Sequence, residues 1–186
     1  MERMAMLPHH IEEVLFTAGE IQRRVRQLVD EMAEDCHSDD FVMIAILRGS
    51  FMFFADLVRE LNRHDVHPRI DFTTLQSYGG GTESSGAVEV ARDFSVDVAG
   101  ADVFLVDDIL DTGRTLSFAR QHALESGAGS VKTCVLLDKP SRRVVPVTAD
   151  HVGFEVPDYF VVGYGLDYDS YYRELPYISR VTFTDA

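Results

Sequence analysis

The stretch Val103-Phe-Leu-Val-Asp-Asp-Ile-Leu-Asp-Thr-Gly-Arg-Thr115 decides how this chain reads. An apolar run, Val103 to Val106, stops at Asp107 and Asp108. Asp111, Thr112, Gly113 and Thr115 follow, and then a stretch with helical spacing. The run predicts a strand inside a sheet, with acids at its carboxyl end, where open α/β sheets bind ligands. Small hydroxyl residues and glycine at a helix start leave backbone N–H groups free for a phosphate. One loop thus offers carboxylates for a polyol or a metal beside a cradle for a phosphate monoester. A ribose 5-phosphate fits both halves. Acids that merely followed a strand would leave Thr-Gly-x-Thr unexplained. The Asp-Asp-x-x-Asp diphosphate motif of prenyl-chain synthases belongs on long helices, and Gly113 with the preceding strand excludes one here.

Outward from this loop the pattern alternates. Residues 17–35 read as an amphipathic helix: Thr17 and Glu20 have capping-box spacing, and Ile21, Val25, Leu28 and Met32 share a face. Phe41 to Leu47 reads as a strand buried on both faces, and Phe51 to Leu61 returns to helical spacing. Ile70 to Leu75 reads as a strand, Gln76 to Gly86 as a Gly- and Ser-rich loop, and Ala87 to Arg92 as a strand. Leu116 to Glu125 reads as a helix closed by Gly127, and Val131 to Leu137 as the next strand. Such alternation predicts an α/β fold with a mostly parallel sheet and right-handed crossovers. Beyond Arg143 short strands and aromatic turns take over.

The 186 residues predict a single domain. Net charge is −14, from 31 acids against 17 Lys and Arg, which argues against nonspecific nucleic-acid binding. An anionic small molecule remains possible, because a local cluster or Mg²⁺ overrides the global field. Cys36 and Cys134 form no recognisable pair, so a reducing cytoplasm is the expected location. No membrane contact is expected, since no apolar stretch approaches spanning length. His9-His10 reads as a frayed terminus, and none of the histidines has zinc spacing with cysteine.

The acidic loop resembles the phosphoribosyl diphosphate (PRPP) motif of the type I phosphoribosyltransferases. Further segments resemble the hypoxanthine–guanine branch: Leu47-Arg-Gly-Ser-Phe-Met-Phe-Phe-Ala-Asp-Leu57, Ser77-Tyr78 with its glycines, Leu136-Leu-Asp-Lys-Pro-Ser-Arg-Arg143, Val152-Gly-Phe-Glu-Val-Pro-Asp158 and Phe160-Val-Val-Gly-Tyr-Gly-Leu-Asp-Tyr168. They occur in the family's order from about residue 10 to about residue 180. The resemblance implies the type I fold, a central sheet flanked by helices. It also implies a lid at about 76–92 that includes Ser77 and Tyr78, and a hood built from the termini.

It further implies roles. Asp107 and Asp108 would meet the ribose hydroxyls directly or through Mg²⁺, as carboxylates suit a diol or a hard cation. The family often has the longer Glu at 107. Asp111, Thr112, Gly113, Arg114 and Thr115 would wrap the 5′-phosphate, with Arg114 adding only charge. Asp111 would also handle the purine N7 proton, partly as an electrostatic partner. Arg48, Gly49 and Arg173 would hold pyrophosphate. Lys139, one of two lysines with Lys132, would donate to purine O6. Phe160 would stack on the base, Val161 would offer backbone groups to its edge, and Asp167 would hold a second Mg²⁺. The implied substrates are PRPP and a 6-oxopurine, the implied products IMP or GMP and pyrophosphate, and the implied assembly a homodimer or homotetramer. Two alternatives stay open: a relative acting on xanthine or another base, and a PRPP-sensing regulator on the same fold.

Overall fold

Two apolar runs, Phe41–Leu47 and the segment from Val103, form neighbouring strands at the centre of the molecule. The computed structural model describes residues 9–35, 41–77 and 88–183. In chain order the elements are β1 (His9–Phe16), α1 (Ala18–Glu34), β2 (Phe41–Leu47), α2 (Phe51–Leu61), β3 (Arg69–Ser77) and β4 (Val88–Arg92). Then come β5 (Asp102–Leu110), α3 (Arg114–Glu125), β6 (Ser130–Asp138), β7 (His151–Glu155), β8 (Phe160–Val162) and β9 (Ile178–Phe183). A six-stranded sheet runs β4-β3-β2-β5-β6-β7. Its strands pair in parallel, except that β4 pairs antiparallel with β3. A separate three-stranded sheet, β1-β9-β8, is antiparallel.

Successive residues of β2 enter opposite cores. Phe41, Met43 and Ala45 pack with α1 and α2, through Ile21, Val25, Leu28, Phe53 and Leu57. Val42, Ile44 and Ile46 pack with Leu116, Ala119 and Ala123 of α3. A strand covered on both faces needs apolar residues at every position, which is why the run is continuous. Each fully buried Leu or Phe contributes about 1.5–3 kcal/mol. The Thr17 capping box forms: the Glu20 N–H donates to Thr17 Oγ1 at 3.3 Å, and the Thr17 N–H donates to Glu20 Oε2 at 2.9 Å.

The structure corrects three expectations. β5 does not end at Val106 but continues to Leu110, so Asp107 and Asp108 are strand residues. Its ladder with β6 runs on through Asp107↔Val135 and Leu110↔Asp138, because backbone pairing is indifferent to polar side chains at the sheet's edge. β3 likewise extends through Gln76 and Ser77, and Val88–Arg92 pairs back on it. The rest of the expected loop and lid, residues 78–87, lies outside the described residues. His9 is not frayed: it lies in β1, with Nε2 2.8 Å from the Tyr172 hydroxyl and its ring 4.9 Å from that of Tyr168.

Candidate active site

A cavity of about 400 Å³ opens at the carboxyl ends of β2 and β5. It is lined by Arg48 and Gly49 on one side and by Asp107, Asp108 and residues 110–113 and 115 on the other. Next to it, a cavity of about 550 Å³ is lined by Arg48, Gly49, Asp167 and Arg173 together with the end of β3. The loops after two adjacent strands therefore converge where doubly wound sheets bind ligands.

Asp107 is buried, and its Oδ1 accepts the Asp108 N–H at 3.0 Å. Burial pushes its carboxyl well above the usual carboxylate range, and the neighbouring Asp108 carboxylate pushes the same way. Burial also raises Asp108. Two adjacent acids that resist joint ionisation form a place where a cation or a diol relieves repulsion. Gly49 fits directly against this pair: a Cβ there would lie 1.5 Å from Asp108 Oδ2.

The loop at residues 110–113 follows. Gly113 takes φ +86 at the N-cap of α3, a conformation that favours glycine, and α3 starts at Arg114. Segment 143–147 braces the loop from behind. The N–H groups of Val144 and Val145 donate to Thr112 O at 2.9 and 3.0 Å. Arg143 donates to Leu110 O at 3.1 Å and also reaches Asp111 O and the Asp138 carboxylate. A Cβ at 113 would come within 2.6 Å of Val147 and 2.8 Å of Val145 O. The loop is preformed by packing.

On the side of the second cavity, Arg48 is exposed and follows a cis peptide bond at Leu47–Arg48. Arg173 pairs with Asp167 at 2.7 Å and donates to Gly165 O at 2.5 Å. Asp167 also accepts the Ser170 N–H at 2.7 Å. Among the described residues, no three acid, His or Cys side chains gather as a metal cluster. Gly165, which sequence reasoning left without a role, takes φ +101, and a Cβ there would lie 2.1 Å from Gly49 O. The closely spaced glycines of Val162-Gly-Tyr-Gly-Leu166 were the signal available for it.

On the third side Lys139 is 8% exposed, and its ammonium donates to Tyr159 O at 2.5 Å. Burial holds it below the usual lysine range, against the charges of Asp111 and Asp158. Phe160 is 41% exposed, its ring edge-on to Tyr168 and Phe183 at 5.5 and 5.2 Å. Val161 is buried behind it. Ser77 ends β3, and Tyr78 lies outside the described residues. A second residue without a sequence-assigned role is Arg142, whose Nε lies 3.2 Å from Asp111 Oδ1.

A phosphoribosyl transferase domain model matches residues 17–169. The chain belongs to the type I phosphoribosyltransferases. Within that family it stands in the hypoxanthine–guanine branch. It is 44% identical over 179 residues to the hypoxanthine phosphoribosyltransferase of Escherichia coli strain K12, a match covering 95% of this chain and 98% of that protein. It is 43% identical over 173 residues to the hypoxanthine-guanine phosphoribosyltransferase of Bacillus subtilis strain 168, covering 93% and 94%. A crystal structure of a hypoxanthine-guanine phosphoribosyltransferase from Bacillus anthracis, with HEPES in its active site, superimposes with a TM-score of 0.87 at 40% identity, covering 93% and 100%.

Proposed function

We propose that the chain transfers ribose 5-phosphate from PRPP to N9 of hypoxanthine or guanine, forming IMP or GMP and releasing pyrophosphate. The observation that carries this reading is a set of three differently built groups at the carboxyl end of the sheet. An acid pair and a phosphate-sized loop form the first, an arginine–glycine turn the second. Beside them, buried Lys139 supplies the third, tied to the end of β5 by its backbone N–H and to Tyr159 O by its ammonium, with the exposed Phe160 next in the chain after Tyr159.

In this reading Asp107 and Asp108 take the ribose diol, and the backbone from Asp111 to Thr115 takes the 5′-phosphate, with Arg114 adding charge. Arg48, the Gly49 turn and Arg173 take the pyrophosphate. Lys139 donates to O6, which selects an oxo group over the amino group of adenine. Phe160 stacks on the base, and Val161 lends backbone groups to its edge. N9 attacks C1′ as the C1′–O bond to pyrophosphate breaks. The ring gains positive character, and its N7 proton passes to the Asp111 carboxylate. A lid including Ser77 and Tyr78, and a hood made by β1, β8 and β9, exclude water from the ribosyl cation.

Asp107 and Asp108 fit Mg²⁺. They are adjacent oxygen donors; burial raises both carboxyls, and the Asp108 charge adds to the rise at Asp107, a cost that a hard cation offsets. Asp167 supplies a separate carboxylate for a second ion. The chemistry Mg²⁺ supplies when bound is neutralisation of the leaving pyrophosphate. The same reading makes the chain a cytoplasmic homodimer or homotetramer, which sedimentation would distinguish.

A base panel tests it. Hypoxanthine, guanine, xanthine and adenine are each supplied with PRPP and Mg²⁺, and pyrophosphate release is read. Turnover with hypoxanthine or guanine is expected; adenine as the best substrate removes the role given to Lys139.

A further inference from the structure

The turn Pro140–Arg142 directly follows Lys139, and its Arg142 N–H closes back on Lys139 O at 3.0 Å. The Lys139 N–H donates to Leu110 O at 3.0 Å, which joins this turn to the end of β5. Two consecutive arginines then divide the work on Asp111. Arg143 holds the Asp111 backbone carbonyl. Arg142 holds the side chain: its Nε lies 3.2 Å from Asp111 Oδ1, and its Nη1 lies 3.6 Å from Asp158 Oδ2. The guanidinium thus spans the gap between the acid of the phosphate loop and the acid two residues before Phe160.

Among the described residues, Asp111 has little else to fix its rotamer. The charged groups that face it among the described residues are Arg142, Lys139 through its field, and Arg143 at its main chain. Its side chain is 38% exposed, and that of Arg142 is 49% exposed. An ion pair so open to water adds little to stability. Its value is geometric, since a carboxylate that must meet one ring proton loses rate steeply when misdirected.

We propose that Arg142 is a positioning residue for Asp111, which it holds as an oriented carboxylate toward the N7 edge of the purine. The inference rests on the transfer reaction proposed above. Arg142 touches no reacting atom. It aims the group that does, and through Asp158 it ties that group to the wall that holds the base.

Steady-state kinetics on Arg142→Gln, Arg142→Lys, Asp111→Asn and the Asp111→Asn/Arg142→Gln double variant test this, with thermal midpoints measured alongside. For Arg142→Gln, kcat with hypoxanthine or guanine is expected to fall about tenfold, with the PRPP KM within about twofold and the midpoint within about 2 °C. Arg142→Lys is expected to recover part of the rate, and the double variant to be no slower than Asp111→Asn alone. Four results overturn the inference. They are an unchanged kcat in Arg142→Gln, a loss seen only as a raised PRPP KM, full additivity with Asp111→Asn, and a midpoint drop that accounts for the lost rate. Wild-type protein that turns over no 6-oxopurine overturns the proposed reaction and this inference together. An active wild type with an indifferent Arg142→Gln overturns the inference alone.

Discussion

Gly49 and Asp108 are in such close contact that residue 49 has no room for a side chain, since its Cβ would sit 1.5 Å from the Asp108 carboxylate oxygen. The turn after β2 and the acid pair of β5 are therefore one unit. Gly49→Ala is expected to turn the Asp108 carboxylate away and lower kcat/KM for PRPP at least about tenfold. The obstructing atom belongs to a side chain, so the fold should survive. A melt within a few degrees of wild type, beside the kinetic loss, is the expected result.

Gly165 behaves differently. Its φ of +101 disfavours any side chain, and the atom in the way, Gly49 O, is backbone. Gly165→Ala is expected to lower stability by about 1–3 kcal/mol and to weaken pyrophosphate binding. Denaturant unfolding and pyrophosphate inhibition would measure the two effects. Wild-type inhibition in this variant would detach Gly165 from the Arg48–Gly49 turn.

Asp107 carries a pH signature. Burial and Asp108 raise its carboxyl above the ordinary value of about 3.9. Between the ordinary and the raised value the folded chain holds more protons than the unfolded one, so stability falls as pH rises through that window. Asn keeps an oxygen for the Asp108 N–H but carries no charge. Asp107→Asn is therefore expected to raise the thermal midpoint by about 2–4 °C at pH 7, about 1 kcal/mol in a domain of this size. The gain should vanish below about pH 4. Turnover should fall in the same variant, and a midpoint gain that persists in acid would contradict the charge explanation.

Lys139→Ala is expected to raise the KM for hypoxanthine about 10- to 100-fold, the size of one hydrogen bond from a charged donor. Initial rates at saturating PRPP measure it. An unchanged KM would show that the ammonium does no more than support Tyr159 O.

Much of this is legible in the sequence. Phe41–Leu47 and Phe51–Leu61 have the bounds that their hydrophobic spacing indicates, because burial on two faces or on one leaves a pattern. The acids of 107–111 and Arg48 with Gly49 could be read as site candidates because such residue types are conspicuous at the ends of apolar runs, whereas Arg173, Lys139 and Phe160 were candidates only through the family resemblance. The full length of β5 could not be read so, since its last turns of ladder depend on β6 and carry acids. His9 looked idle because its partners, Tyr168 and Tyr172, lie far along the chain. Arg142 and Gly165 were hidden for the same reason. An arginine beside an arginine, and a glycine among glycines, acquire meaning only from what the fold brings against them.

The pairing order of the small sheet has a consequence for synthesis on the ribosome. β9 is its middle strand, so neither β1 nor β8 has an edge to join until Ile178–Phe183 has emerged. The wide sheet ends at β7, well upstream. During synthesis the half of the cleft built on β2 and β5 can therefore assemble first, while the strands beside Phe160 wait for Ile178–Phe183 to emerge.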